Sequence, residues 1–295
     1  MIFEDPRQFR TWRHKAVTLM GMSGVGKSTL ARRLPHHTWF HYSADYRIGT
    51  RYLQEPILDN IKKHAMRDPF LANLLRTDSI YIASNITVDN LDPIATFLGK
   101  VGDPVRGGLD LGEFKRRQAL HRDAEIKAMD DVVAFIRKAY DIYGYQSFIN
   151  DASGSLCELD HPPTFEGLAA HTVILYIDTD GEVEQTLVQR AALHPKPLYY
   201  QAAFLDRSLE TFMTETGCHQ ICDVDPDAFV RWVFPHLLAH RLPLYRNIAS
   251  RYGYSVPYRL VTQVRDDVDL VELICDAIAE RQQHPGRGWS PRGEA

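Results

Sequence analysis

Ala16-Val17-Thr18-Leu19-Met20-Gly21-Met22-Ser23-Gly24-Val25-Gly26-Lys27-Ser28-Thr29 decides the fold. The first five residues make an apolar run of strand length. The nine that follow fit Gly-x4-Gly-Lys-Ser/Thr, a pattern that cradles phosphate where a strand leads in and a helix leads out. At average residue frequencies the bare pattern arises by chance in about one chain in a hundred of this length, before that context is counted. Glycines let backbone amides curl around phosphate oxygens, and a helix starting near Lys27 aims its positive end at them. Gly21, Met22, Ser23, Gly24, Val25, Gly26, Lys27, Ser28 and Thr29 are therefore the candidate contacts to a nucleoside triphosphate. Lys27 is expected to neutralise β/γ-phosphate charge and Ser28 to give its hydroxyl to Mg2+, while Thr29 starts the helix packing with Leu30 and Leu34.

Outward from the loop, strand-length apolar stretches alternate with helical patterns, the sequence form of a parallel sheet between helices. Ala16–Met20, Trp39–Tyr42, Ser147–Asn150 and Thr172–Ile177 are the strand candidates, with Tyr254–Pro257 a weaker one. About a hundred residues separate the second from the third. Within them Met129, Val132, Val133 and Ile136 repeat at helical spacing, and the glycines of residues 102–112 place a loop before a long helix starting near Leu111. The expectation is a three-layer α/β/α P-loop fold with a mostly parallel sheet, as a single domain over residues 1–281 with a helical insertion at about 51–140. Val271, Ile274, Cys275 and Ile278 share a face of the last helix, and residues 282–295, rich in Pro, Gly and charge, read as a mobile tail.

Composition narrows the partners. A formal net charge of -4 over 295 residues argues against a binder of duplex nucleic acid. Four scattered cysteines (157, 218, 222 and 275) make no disulfide framework, no apolar run approaches the ~20 residues of a bilayer span, and Met1–Lys15 lacks a signal-peptide core, so a cytoplasmic protein is expected. Cys218-His219-Gln220-Ile221-Cys222 and the His236/His240 pair lack a second ligand pair at zinc spacing. No Asn-Lys-x-Asp guanine motif, protein-kinase HRD or DFG set, or Gly-x-Ser-x-Gly elbow is present, which leaves ATP as the expected nucleotide.

Further segments, in order along the chain, resemble the shikimate kinase and gluconate kinase group of small-molecule kinases. His41-Tyr42-Ser43-Ala44-Asp45-Tyr46-Arg47-Ile48 is similar to that group's strand ending in Asp-x-Asp-x-x-Ile. The resemblance implies that Asp45 faces the acceptor hydroxyl and orients or deprotonates it. Ser43 replaces the first aspartate, which normally helps to hold magnesium through water. Asp151, just past a buried strand, is the carboxylate available for that role, or else a helix cap or turn former. Phe148-Ile149-Asn150-Asp151-Ala152-Ser153-Gly154-Ser155 resembles the group's strand and triple glycine, of which only Gly154 survives; Ser153 and Ser155 imply a differently shaped acceptor pocket.

Gly112-Glu113-Phe114-Lys115-Arg116-Arg117-Gln118 is similar to the stretch in which an arginine grips an anionic acceptor, so Arg116 and Arg117 are candidates for that contact or simply a solvated helix face. Leu187-Val188-Gln189-Arg190 and His194-Pro195-Lys196-Pro197-Leu198 resemble the mobile lid, with Arg190 either a lid cation reaching the transferred phosphoryl group or an ordinary exposed arginine. His240-Arg241-Leu242-Pro243-Leu244-Tyr245 matches Arg-x-Pro-Leu-Tyr, where the resemblance makes Arg241 the anchor of the acceptor's anionic group, although it could instead cap a helix. Residues 51–108 and 201–234 match nothing in the group and could enlarge the pocket or dock a protein partner. Two functions follow: an ATP- and Mg2+-dependent phosphotransferase acting on a small, anionic, hydroxyl-bearing acceptor, or an ATPase or nucleotide-dependent switch working through a protein partner.

Overall fold

A computed structural model describes residues 1–283. Its strands are β1 (Ala16–Met20), β2 (Trp39–Ser43), β3 (Ser147–Asp151), β4 (Val173–Asp178) and β5 (Gly253–Pro257). The helices through the middle of the chain are α1 (Pro6–Thr11), α2 (Lys27–Arg33), α3 (Ala44–Arg47), α4 (Gln54–Ala65), α5 (Pro69–Arg76), α6 (Asp92–Leu98) and α7 (Leu111–Asp141). Then come α8 (Pro162–His171), α9 (Gly181–Leu193), α10 (Ala202–Thr216), α11 (Pro226–Tyr252), α12 (Tyr258–Val261) and α13 (Asp267–Gln283). Residues 284–295, most of the expected tail, lie outside the described residues. Among the described residues no helix is long and apolar enough to cross a membrane.

The strands form one sheet in the order β2-β3-β1-β4-β5, and every pairing is parallel. This is the expected α/β/α fold. Parallel neighbours need crossovers, and crossovers are right-handed. The β1-to-β2 crossover runs one way along the sheet and carries α2, while all later crossovers run the other way, so α2 lies on one face and α8 and α11 on the opposite one. Arg33 of α2 donates to the carbonyls of Thr262 and Val264, which places the segment leading into α13 beside α2. Strands β1 and β3 are buried at every position, as sequences covered on both faces should be.

A buried polar rung crosses the three central strands. Thr172 Oγ1 donates to Leu168 O at 2.8 Å, so the proton in its 2.9 Å contact with Thr18 Oγ1 comes from Thr18, which in turn accepts from Asn150 Nδ2 at 3.2 Å. Thr18 and Asn150 are register partners.

The chain divides into two compact units: residues 1–44, 126–194 and 231 onward, which hold the sheet, and residues 45–125 with 195–230, which are helical. In the helical unit Asp110 Oδ1 accepts from Glu113 N at 2.9 Å and starts α7. That unit closes on an aromatic cluster in which Tyr200 meets Phe114 and Phe229, and Phe212 packs edge-on against Phe229 at 5.4 Å. In the sheet unit, α7 buries Ala128, Met129, Val132, Ile136 and Ala139, the stripe visible in the sequence, and Tyr42 Oη of β2 donates to its Ala128 carbonyl at 2.6 Å.

Candidate active site

The loop between β1 and α2 takes its shape from three glycines with left-handed φ: Gly21 at 152°, Gly24 at 90° and Gly26 at 85°. Gly26 occupies the N-cap of α2 and has no side chain with which to satisfy the first-turn amides. No acidic residue lies in that turn either. Lys27 is buried at 6% exposure, and its ammonium turns back into the loop, donating to Gly21 O at 2.7 Å and Met22 O at 3.0 Å. A cation is thus folded into the loop that leads to the uncapped N-terminus of α2. Val25 and Met22 are buried beneath the loop, whereas Ser23, Gly24 and Thr29 face solvent and Ser28 is half-buried.

Asp151 ends β3, in register with Leu19 of β1 and Ser43 of β2. Its carboxylate is therefore level with the last residues before the loop, and His41 Nε2 stands 3.9 Å from its Oδ2. For Mg2+ the donor chemistry fits: a hydroxyl at Ser28 and a carboxylate at Asp151 are hard oxygen ligands, and Mg2+ usually takes only one or two of these from protein beside water and phosphate oxygens. Among the described residues no group of three or more His, Cys, Asp or Glu forms a fuller cation cage, and none is needed for such an ion.

Gly154 reaches the loop itself. A Cβ on Gly154 would fall 2.8 Å from Ser23 N and 3.0 Å from Ser23 Cβ, so the two backbones touch. Beside it the Ser153 and Ser155 hydroxyls bond each other at 2.9 Å and are buried. Arg241 of α11 is 3% exposed. Its Nη1 donates to Gly154 O at 2.8 Å, while Nε and Nη2 donate to Glu158 Oε2 at 2.9 and 2.5 Å. Burial is the largest single influence and works against the guanidinium's charge, but Glu158, with smaller contributions from Cys157 and Tyr245, holds the Arg241 pKa above its usual value. Tyr245, one turn further along α11, donates to the same Gly154 carbonyl at 2.8 Å.

The remaining candidates are Arg190 of α9 and three residues of the helical unit, Asp45, Arg116 and Arg117. Arg190 is exposed in the last turn of α9. Three residues before it, Leu187 lies where a Cβ on Gly24 would meet its Cδ2 at 3.1 Å, so α9 packs against the loop one turn away from Arg190. Asp45 sits half-buried in the first turn of α3, two residues past the end of β2. Arg116 is exposed and bonds Glu113 through Nε at 2.7 Å and Nη2 at 2.8 Å. Arg117 is buried, bonding Glu113 Oε1 at 2.7 Å, Asn60 Oδ1 at 2.8 Å and the Phe97 carbonyl. With both arginines donating to it, Glu113 is held down at a pKa of about 2, chiefly by the hydrogen bond from Arg116. All three arginines expected at an anionic acceptor thus have carboxylate partners inside the protein. Sequence reasoning assigns no site role to Glu158, Tyr245 or Leu187: Tyr245 stands inside the Arg241 motif and Leu187 opens the lid-like run that ends at Arg190, but Glu158 belongs to no pattern.

No protein-family model matches the chain, and no curated protein matches it. Among solved structures it is similar to the shikimate kinase from Acinetobacter baumannii in complex with shikimate, at 13% identity and a TM-score of 0.39, over 90% of this chain and 97% of that one. It is also similar to the shikimate kinase from Bacteroides thetaiotaomicron, at 12% identity and a TM-score of 0.34, over 91% of this chain and 97% of that one. Neither likeness assigns a residue or a reaction to this chain.

Proposed function

We propose that the protein is an ATP- and Mg2+-dependent phosphotransferase that acts on a small hydroxyl-bearing acceptor. The observation that carries this reading is the strand-loop-helix at residues 16–33, where glycine-shaped backbone, an N-cap without a side chain and the inward Lys27 ammonium meet. Such a loop suits a polyphosphate, because its amides point at oxygen atoms and need no reorganisation when charge shifts during transfer. Lys27 exchanges two neutral carbonyl partners for charged β/γ-phosphate oxygens, a stronger charge-assisted bond. Ser28 and Asp151 would hold Mg2+, which when bound draws the phosphate oxygens into one geometry and offsets their charge. Asp45 accepts the acceptor's hydroxyl proton or aligns that oxygen, and Arg190 covers the transferred group from α9.

Arg116, Arg117 and Arg241 all bond carboxylates of the protein itself, so no anionic group is assigned to the acceptor. That same observation favours a second reading, a nucleotide-dependent ATPase or switch whose helical unit engages a protein partner.

ATP turnover by purified protein, with and without pooled hydroxyl metabolites, separates the two. For a phosphotransferase, metabolites raise ADP release, Lys27→Ala lowers the stimulated rate by about 10²-fold or more, and Asp45→Asn removes the stimulation. Basal hydrolysis that metabolites leave unchanged, lost in Lys27→Ala but kept in Asp45→Asn, would establish the ATPase or switch instead.

A further inference from the structure

We infer that Arg241, Glu158 and Tyr245 act as a positioning brace for the phosphate loop, working through the carbonyl of Gly154; the inference rests on the nucleotide reading of that loop. Gly154 is held from both sides. On one side its backbone lies against Ser23, close enough that a Cβ would fall 2.8 Å from the Ser23 amide nitrogen. On the other, its carbonyl accepts from Arg241 Nη1 and from Tyr245 Oη, each at 2.8 Å. Two donors converging on one carbonyl fix its direction as well as its distance.

Both donors are themselves immobilised. Tyr245 is fully buried and stacks on Tyr176 of β4, with ring centroids 5.3 Å apart and planes 10° from parallel. Arg241 is locked by Glu158, whose side chain is 0% exposed, and His240 Nε2 stands 3.5 Å from the other carboxylate oxygen. Glu158 lies in the helical turn Leu156–Glu158 that follows Gly154, so carboxylate and carbonyl belong to one rigid segment. Arg241 and Tyr245 are spaced i, i+4 on α11 and project from the same face. Pro243 between them removes one amide from the helix ladder.

The chemistry argues for positioning rather than substrate contact. Nε, Nη1 and Nη2 of Arg241 each donate within the fold, and its charge is balanced by a carboxylate that meets no solvent. A buried pair of this kind contributes little net stability but fixes geometry, and loss of one member leaves an uncompensated charge. Here the fixed geometry is the level of the Gly154 backbone, and with it the level of Ser23 in the phosphate loop.

The test is the dissociation constant of MgATP, measured beside thermal unfolding, for wild type, Lys27→Ala, Gly154→Ala, Tyr245→Phe and the double variant Arg241→Met/Glu158→Met. The double variant replaces a buried ion pair with apolar side chains of similar volume, a change close to neutral for folding. It should melt near wild type yet bind MgATP about tenfold more weakly, because Gly154 O has lost a charged donor. Gly154→Ala should weaken binding by about tenfold or more, and Tyr245→Phe, which keeps the ring stack, by about threefold. If the double variant does not fold, Tyr245→Phe and Gly154→Ala carry the test.

Brace variants that bind MgATP as wild type does, while Lys27→Ala weakens it, would overturn the brace and leave the nucleotide reading standing. Wild-type protein without affinity for MgATP would overturn both. A merely structural pair would change the melting temperature of these variants in proportion to any loss of binding, which the double variant is chosen to exclude.

Discussion

Arg241 in the sheet unit and Arg117 in the helical unit look alike by exposure, at 3% and 5%, and each bonds both a carboxylate and a backbone carbonyl. Their partners differ. Glu158 is 83 residues from Arg241 and its side chain is 0% exposed, whereas Glu113 stands four residues before Arg117 on the same helix with 29% of its side chain in solvent. Arg117 also lies over the Phe97 ring, 4.9 Å from its centroid, so much of its contribution is packing and cation–π attraction. An internal charge with a dry partner is committed to that partner. One with a wet partner on its own helix is held chiefly by its surroundings, and its carboxylate can be lost at small cost.

The largest effect should come from breaking the dry pair one-sidedly. Glu158→Leu strands the Arg241 guanidinium in the interior and should lower the unfolding free energy in urea by about 3–5 kcal/mol. A loss no greater than that of Glu113→Gln would erase the distinction between the two arginines. Arg117→Met should come next, at about 1–3 kcal/mol, since it removes bonds to Phe97 O and Asn60 but keeps apolar bulk beside the Phe97 ring. If Arg117→Met proved as costly as Glu158→Leu, the wet pair would have to be counted as dry.

Glu113→Gln should have the smallest effect, under about 1 kcal/mol near neutral pH. It also carries a pH signature. The Glu113 pKa is depressed in the folded chain to about 2, so the pair's contribution is fully present above the unfolded value of about 4.5 and is lost as pH falls toward 2. Thermal unfolding of wild type and Glu113→Gln should therefore differ at pH 6 and converge by about pH 2 to 3. Curves that diverge as pH falls would contradict the sign.

What could be seen in the sequence is what local physics decides. β1 reads as a strand because Ala16–Met20 are all apolar but for Thr18, and the loop after it because glycine spacing is a backbone requirement carried by residue type alone. The start of α7 at Leu111 follows from the glycine-rich stretch before it and from Asp110, whose carboxylate caps the first turn. What could not be seen is who meets whom. Arg241 belongs to a conspicuous run, His240-Arg241-Leu242-Pro243-Leu244-Tyr245, but that run says nothing of Glu158, an acid in no motif that becomes a partner only when α11 crosses the turn after β3. Arg117 likewise stands in a cluster of cations that reads as a solvated face, and it is the fold around Phe97 and Asn60 that takes it inside while Arg116 stays out. Side-chain type reveals which residues are able to carry charge, and only tertiary contact decides where that charge is used.

The rung from Asn150 through Thr18 and Thr172 to Leu168 O works as a ratchet stop for the sheet. Each hydroxyl in it has one proton to give and gives it in a single direction, so the series closes in only one alignment of β3, β1 and the start of β4. Sliding β1 by one residue would set Val17 or Leu19 opposite Asn150 and leave buried polar atoms stranded on both sides. Since Gly21 begins two residues after Leu19, and Asp151 is the register partner of Leu19, the same stop that aligns the strands also sets the phosphate loop and the Asp151 carboxylate at matching heights.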